Sequence, residues 1–169
     1  GSSPNATYRR WPWEYYLELT QLLNRSQYTI IFAGGPSELE LKDDLVDCET
    51  NVYDCIGMWE VLEWYWIFIN YRPMFCSSDA GLHHLADIAG VPTITLFGPT
   101  RSGKWGSIRP DAVFIEQIVY CRPCINTYLG DVPDDCWRNT RECLTLVKPQ
   151  FVTTQIERLS TTQVNTHLN

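Results

Sequence analysis

Residues 77–100 read SSDAGLHHLADIAGVPTITLFGPT, and this stretch decides the fold. A short polar segment, Ser77 to Gly81, leads into an apolar-patterned run at 82–89 that predicts a helix. Residues 92–97, which contain two Thr, an Ile and a Phe and follow Val91, predict a strand, and a Gly-Pro turn comes after it. With a further strand predicted at 74–77, the order is strand, helix, strand, which is typical of a parallel sheet.

The same alternation runs through the rest of the chain. Pro12 is well placed at a first helical position, and Pro149 lies in the first turn of a closing helix. We predict one doubly wound, Rossmann-like α/β domain over residues 1–169, with a parallel sheet. The helix at 58–70 is apolar on most faces, so we expect it to be buried. The predicted helices are 12–25, 37–46, 58–70, 82–89 and 148–159, and the predicted strands are 28–33, 52–55, 74–77, 92–97 and 112–115.

Composition excludes several classes of partner. The chain has 169 residues, of which 44% are hydrophobic and 13% aromatic, so it can bury a sizeable core. Its net charge of −7 argues against a nucleic-acid or anionic-membrane surface, since both need clustered Lys and Arg. No apolar run approaches the roughly 20 residues of a membrane span, and we find no signal peptide. We therefore expect a cytoplasmic protein without a transmembrane segment.

Ligands of doubly wound sheets bind at the carboxyl ends of the strands, which places 34–35, 77–81 and 98–100 on one rim. The free N–H groups of the helix that follows Gly81 suit an anion such as phosphate, and glycine lets it approach the backbone. An alternative is structural: Ser78 or Asp79 caps that helix through a side-chain oxygen.

Cationic residues precede two of the helix starts. Arg9 and Arg10 suit a diphosphate, because guanidinium binds phosphate bidentately, although a solvated basic turn is an equal alternative. Arg101 and Lys104 form a second cationic cluster predicted for the same rim. Glu38 is a candidate acceptor for ribose hydroxyls, or it simply complements a helix dipole.

The segment DAGLHHLADIAGVPTITLFGPT followed by KWG resembles the signature of family 9 glycosyltransferases, the heptosyltransferases of lipopolysaccharide synthesis. The beginning GSSPNATYRRWPWEYYLELTQLL, the IIFAGGPSE turn and the late CRPC…VKPQFV tail are also similar to this family, in the same order. The resemblance implies a two-domain GT-B enzyme in which this chain is the C-terminal, donor-binding half, with ADP-heptose as the typical donor.

Carried over residue by residue, the resemblance implies a donor site. Arg9 contacts the donor phosphates, and Glu38 contacts the ribose. His84 is the rim histidine and His83 has no site role. Ala80 stands where the family usually has Ser or Thr, so one hydroxyl contact is missing. The full set implied for donor binding, with the second cationic cluster included, is Arg9, Glu38, Asp79, Ala80, Gly81, His84, Thr100, Arg101 and Lys104.

The resemblance also implies what this chain lacks. The family's catalytic base is a carboxylate of the N-terminal, acceptor-binding domain, so we expect this chain alone to bind a nucleotide-sugar without transferring the sugar. The implied reaction inverts the anomeric centre by direct displacement. Since no Asp-x-Asp motif occurs on the rim, we expect transfer to need no metal cofactor.

Four cysteines cluster late in the chain: Cys121, Cys124, Cys136 and Cys143. A Cys-x2-Cys pair with two further cysteines can hold a structural zinc or iron ion in a tetrahedral thiolate site. Free thiols and disulfides are the alternatives. We define the cysteine-rich segment as residues 121–143.

Two other functions remain open from the sequence. One is a stand-alone nucleotide or sugar-phosphate binding module without transferase activity. The other is an interaction domain that uses its cysteine-rich segment as a finger for assembly.

Overall fold

The computed structural model describes residues 7–24, 28–45, 51–126 and 130–166. Short 3-10 helices lie at Thr7–Arg9, Pro36–Leu41 and Asp43–Leu45. The α-helices are α1 (Trp13–Asn24), α2 (Val61–Tyr71), α3 (Gly81–Ile88), α4 (Ser102–Trp105), α5 (Glu142–Thr145) and α6 (Pro149–Thr166). The strands are β1 (Ile30–Gly34), β2 (Val52–Ile56), β3 (Phe75–Ser78), β4 (Thr93–Phe97) and β5 (Ala112–Glu116).

All strand pairs in the described residues are parallel, which confirms the predicted α/β class. β1 pairs with β2, with Ile30 opposite Val52. β4 lies between β3 and β5, and Thr93 is opposite both Phe75 and Ala112. Parallel pairing puts the carboxyl ends of the strands in each sheet at one edge.

We expected one continuous sheet. The strands instead form a two-stranded sheet and a separate three-stranded sheet. A cavity of about 670 Å³ lies between them, lined by residues of both β1 and β3. One edge donor of β3 is satisfied by a side chain instead of by β1, because the Ser78 N–H donates to the Tyr16 hydroxyl (3.2 Å). The Tyr16 hydroxyl thus provides one acceptor that a neighbouring strand would otherwise provide.

The main core surrounds β4, in which every residue is buried. Apolar side chains of α1, α5 and α6 pack against it, and the Trp11 indole N–H also donates to the Val147 carbonyl (2.9 Å). Burial on this scale is the dominant favourable contribution to folding. The buried members of this core are Trp11, Leu19, Leu23, Ile94, Leu96, Ile115, Cys143, Leu144, Val147, Val152 and Ile156.

The prediction that the third helix is buried was wrong. α2 buries Trp64 and Phe68 in a second apolar cluster, but Leu62 is 80% exposed and Trp66 55% exposed. The reason is that α2 packs through one face, on the side of α3, while apolar residues also occupy its other faces.

The predicted helix at 37–46 was also wrong in type and length. The described part of this segment forms the two 3-10 helices Pro36–Leu41 and Asp43–Leu45. Glu38 reaches back to accept a hydrogen bond from the Gly35 N–H (3.0 Å), which closes the first turn directly after β1. The closing helix extends to Thr166, and α4 and α5 were not predicted.

Among the described helices, none combines the length and the apolar character that crossing a membrane requires.

Candidate functional site

A cavity of about 730 Å³ opens at the carboxyl edge of the strands. Seven of the nine residues implied for donor binding line it: Arg9, Glu38, Asp79, Ala80, Gly81, His84 and Thr100. Its remaining lining is largely apolar and consists of Gly35, Ser37, Val61, Leu82, Leu85, Ile88, Trp105 and Ile125.

The carboxylate of Asp79 is the centre of this site. Arg9 Nη2 donates to the Asp79 backbone carbonyl (3.0 Å) and to Oδ2 (3.2 Å). The Thr100 hydroxyl donates to the same Oδ2 (2.6 Å), and His84 Nε2 lies 3.4 Å from Oδ1. The Asp79 side chain is only 5% exposed, so this buried charge depends on its partners.

The partners of Asp79 keep it ionised. Burial on its own would raise the pKa of Asp79, but the neighbouring His84 (3.4 Å), the hydrogen bond from Thr100 and the charge of Arg9 outweigh it. The pKa of Asp79 is therefore below its ordinary value. A negative charge thus fixes Arg9 and His84 at the wall of the cavity.

The alternative in which Ser78 or Asp79 caps α3 was wrong. The N-cap residue is Ala80, which has no side-chain oxygen that could accept a hydrogen bond from a helix N–H group. The Asp79 carboxylate instead faces Arg9 and Thr100. Ser78 accepts the Trp11 N–H (2.8 Å), which ties the segment before α1 to the end of β3. Residues 77–80, expected at an open rim, are all buried.

The start of α3 is open to the cavity. Gly81 is exposed, and a Cβ atom built on it would meet no atom within 4 Å. The same space exists above Gly35. The backbone of both glycines can therefore be approached closely by a ligand, which is the role predicted for Gly81.

The two neighbouring histidines differ in environment. His84 lines the cavity with its side chain 42% exposed. His83 is fully buried, with Nδ1 2.7 Å from the Thr95 hydroxyl. Burial, followed by the charge of His84, lowers the pKa of His83. His83 is therefore a neutral, buried group whose ring lies 4.9 Å from that of His84, which does line the cavity.

Arg101 and Lys104, the second predicted cationic cluster, are not among the described residues that line the cavity. Both are exposed: Arg101 directly precedes the four-residue helix α4, and Lys104 lies in its last turn. Lys104 Nζ lies 4.9 Å from the ring centroid of Trp105, and it is Trp105 that lines the cavity. The structure thus supplies an aromatic wall where the sequence predicted a second pair of cations.

Sequence reasoning missed Arg122. Its guanidinium donates to the carbonyls of Gly98, Gln117 (2.9 Å) and Thr100 (2.6 Å) and to the Glu116 carboxylate (2.9 Å). The only available signal was the CRPC motif, which we interpreted solely through its cysteines.

The structural metal expected at the four late cysteines stays a prediction. All four late cysteines are free thiols, and the described His, Cys, Asp and Glu residues contain no group of three or more arranged to hold a metal ion. Cys143 is buried in the main core, and burial raises its pKa to about 11. Burial also raises the pKa of Cys124, whose backbone N–H donates to the Pro99 carbonyl (3.1 Å).

Comparison with known proteins identifies the family and supports the fold. The family model described as glycosyltransferase family 9 (heptosyltransferase) matches residues 2–128. The chain belongs to glycosyltransferase family 9. The resemblance on which the sequence analysis depended is thereby confirmed.

Curated relatives are heptosyltransferases. Lipopolysaccharide heptosyltransferase 1 of Pseudomonas aeruginosa is 38% identical over 88 residues, which are 48% of this chain and 25% of that protein. Lipooligosaccharide heptosyltransferase 2 of Campylobacter jejuni is 23% identical over an alignment of 170 positions, covering 95% of this chain and 51% of that protein. The family 9 chain thus spans at most about half the length of these relatives.

Solved structures share the fold. E. coli ADP-heptose LPS heptosyltransferase II matches with a TM-score of 0.75 at 18% identity, over 96% of this chain and 45% of that one. The glycosyl transferase family 9 structure from Veillonella parvula gives a TM-score of 0.74 at 22% identity, over 94% and 43%. E. coli heptosyltransferase WaaC, solved with ADP, gives 0.65 at 23% identity, over 89% and 40%.

Proposed function

We propose that this chain is the donor-binding half of an inverting, heptosyltransferase-like glycosyltransferase, and that its donor is a nucleotide-diphosphate sugar such as ADP-heptose. The observation that carries the proposal is the cavity in which Arg9, His84 and the open start of α3 surround the buried Asp79 carboxylate. Family membership and two structural relatives, the E. coli ADP-heptose LPS heptosyltransferase II and the E. coli heptosyltransferase WaaC solved with ADP, support the same donor class.

The diphosphate would bind beside Arg9 and Gly81. Arg9 supplies a positive charge that Asp79 holds in place, and the first N–H groups of α3 supply the positive end of a helix dipole. Asp79 itself would not contact the phosphates, because like charges repel. We therefore assign Asp79 and Thr100 as residues that position Arg9 and His84.

The nucleoside would occupy the apolar part of the cavity. Trp105, Leu85 and Ile125 offer a hydrophobic wall for a base, whereas Glu38 and Gly35 offer polar backbone and carboxylate atoms near the end of β1. Pockets of this kind, mostly apolar with a few polar groups that fix orientation, are typical small-molecule sites. Glu38 stays our candidate for the ribose hydroxyls.

The chemistry would need a second domain. We propose that an N-terminal domain binds the acceptor and supplies the base that deprotonates its hydroxyl. The residues of this chain would stabilise the charge that grows on the departing diphosphate, with Arg9 and the α3 start as the fixed donors. In this proposal the step uses no metal ion, and this chain alone is inactive in transfer.

We also propose that the protein works in the cytoplasm, where thiols stay reduced. The six cysteines that the structure describes are free thiols, which suits that compartment.

Binding of ADP, GDP and UDP to this chain, measured by calorimetry, tests the proposal. We expect ADP to bind best, and Gly81→Ala to weaken ADP binding by about tenfold or more, because the new methyl group occupies the space a phosphate needs. The fold tolerates that methyl, since nothing lies within 4 Å of it. Arg9→Gln should also weaken binding, by about 10- to 100-fold.

Gly103→Ala is the matched control, because its new methyl also meets nothing within 4 Å and Gly103 does not line the cavity. If none of the three nucleotides binds, or if Gly81→Ala and Gly103→Ala bind ADP equally, the proposed site is wrong. Donor-dependent sugar transfer by this chain alone would contradict the assignment of catalysis to a second domain.

A further inference from the structure

We infer that Arg122 and Glu116 form a clasp that positions the loop at 98–102, and through Thr100 sets the donor site; this rests on the proposed donor-binding function. We refer to residues 98–102 as the rim loop. Neither residue lines the cavity, so neither would be found by searching for contacts with a ligand.

Arg122 holds the rim loop through its backbone. The guanidinium donates to the carbonyls of Gly98 and Thr100 within the loop, and to the carbonyl of Gln117 just after β5. The Arg122 side chain is only 10% exposed. A guanidinium presents five N–H donors in a fixed plane, so one side chain can bridge several carbonyls whose positions are thereby fixed relative to one another.

Glu116 closes the clasp from the end of β5. Its Oε1 accepts hydrogen bonds from the Ser102 N–H (2.6 Å) and from Arg122 Nη2 (2.9 Å). The carboxylate therefore anchors the last residue of the rim loop and the guanidinium that holds its first residues. It also compensates the charge of Arg122 at a largely buried position.

The chain around Arg122 adds a second attachment. The backbone N–H groups of Cys124 and Ile125 both donate to the Pro99 carbonyl (3.1 and 3.2 Å). Ile125 then lines the donor cavity. The start of the cysteine-rich segment thus supports the rim loop through its backbone and its arginine.

Thr100 carries the effect into the site. The same residue whose carbonyl accepts from Arg122 donates its hydroxyl to Asp79, and Asp79 in turn holds Arg9. If the clasp is lost, the Thr100 hydroxyl is no longer held within 2.6 Å of the carboxylate, and Arg9 loses part of its fixed position. Arg122 and Glu116 are therefore positioning residues that act through Thr100.

A double-mutant cycle on ADP affinity tests this coupling. We expect Arg122→Gln to weaken ADP binding by about 5- to 20-fold in the wild-type background, and by less than about 2-fold in a Thr100→Val background. Arg122→Lys keeps the charge but loses the planar fork, so it should not restore affinity. Glu116→Gln, which keeps an acceptor oxygen for Ser102, should weaken binding in the same direction by about 2- to 4-fold. Because the Glu116 side chain is one-third exposed, Glu116→Gln should still fold. It therefore tests the clasp even if Arg122→Gln fails to fold.

Arg109→Gln is the matched control. Arg109 also binds a backbone carbonyl, that of Gly90 (2.9 Å), and pairs with Asp111, but it lies at the opposite ends of the strands. It should lower stability without changing ADP affinity by more than about 2-fold. Equal affinity losses for Arg109→Gln and Arg122→Gln, or additive losses for Arg122→Gln and Thr100→Val, would overturn the clasp.

The outcome for the clasp is separable from the outcome for the proposed function. If the wild-type chain does not bind ADP, or if Arg9→Gln leaves binding unchanged, the donor site itself is wrong. If wild type binds ADP and Arg9→Gln weakens it, while the Arg122 and Glu116 variants bind as wild type does, only the clasp is wrong.

Discussion

The hydroxyl of Thr100 donates a 2.6 Å hydrogen bond to the carboxylate of Asp79, 21 residues earlier in the chain. This contact joins the end of β4 to the end of β3 at the point where Arg9 also converges. Asp79 is therefore less a contact for a ligand than the anchor of the groups that would contact one. Burying its charge costs desolvation free energy, which is compensated only while its hydrogen-bond and ion-pair partners are present.

Asp79→Asn should destabilise the protein by about 1–3 kcal/mol at neutral pH, because Arg9 and His84 lose the charge that they face. The folded-state pKa of Asp79 is lowered from its ordinary 3.8. Its contribution to stability is therefore fully present above pH 3.8 and is lost as the pH falls through the folded-state pKa. Denaturant unfolding at neutral and acidic pH measures both effects.

Asp131→Asn is the control for this change, since residue 131 is exposed, and it should change stability by no more than about 0.5 kcal/mol. A neutral-pH stability of Asp79→Asn equal to that of wild type would show that the charge of Asp79 does not stabilise the site.

Because of His83, the protein should become less stable as the pH falls below about 6.5, the ordinary pKa of a histidine side chain. Burial lowers the folded-state pKa of His83, so between that value and 6.5 the unfolded chain binds a proton that the folded chain does not. The slope is at most about 1.4 kcal/mol per pH unit for one proton. We expect His83→Gln, which can still hydrogen-bond Thr95, to flatten this part of the stability curve.

His84→Gln provides the comparison. Burial, the larger cause of the His83 shift, remains in that variant, so most of the slope should remain. A curve for His83→Gln that keeps the wild-type slope between about pH 5 and pH 7 would contradict a neutral buried His83.

Gly98→Ala should destabilise the protein by about 1–3 kcal/mol, because the site is already close-packed. A Cβ at this position would lie 2.8 Å from Leu144 Cγ, and Leu144 is fully buried in the main core. Gly103→Ala should instead leave stability unchanged or raise it by up to about 1 kcal/mol, since its methyl group meets nothing and glycine is costly within a helix. Thermal and denaturant unfolding of the pair measures the difference, and equal stabilities would mean that Leu144 moves aside without cost.

Local patterns predicted the elements best where burial is uniform. β4 reads as a continuous run because every one of its side chains is buried, and the structure gives Thr93–Phe97 for a predicted 92–97. The same reasoning failed for α2, since apolar residues such as Leu62 and Trp66 do not reveal whether another element covers them. Nor could apolarity show that the Tyr16 hydroxyl meets the edge of β3.

For the site, sequence motifs placed Arg9, Asp79 and Thr100 in one set, and the structure brings them into contact. Arg122 could not be found in this way. Its partners are mostly backbone carbonyls up to 24 residues away, and a carbonyl group is the same whichever residue carries it. Arg101 was predicted at the rim from its charge and from its place directly after the turn at 98–100, but neither reveals whether its side chain points into the cavity.

By itself, the sequence determined the alternation of helices and strands, the family and the chemical types of the site residues. These depend on local periodicity and on motifs that can be read along the chain. Only the tertiary structure decided which groups meet: Arg9 reaches Asp79 across 70 residues, and Arg122 reaches the rim loop from beyond β5. Such contacts are set by how the strands are ordered and packed, and no local pattern specifies that order.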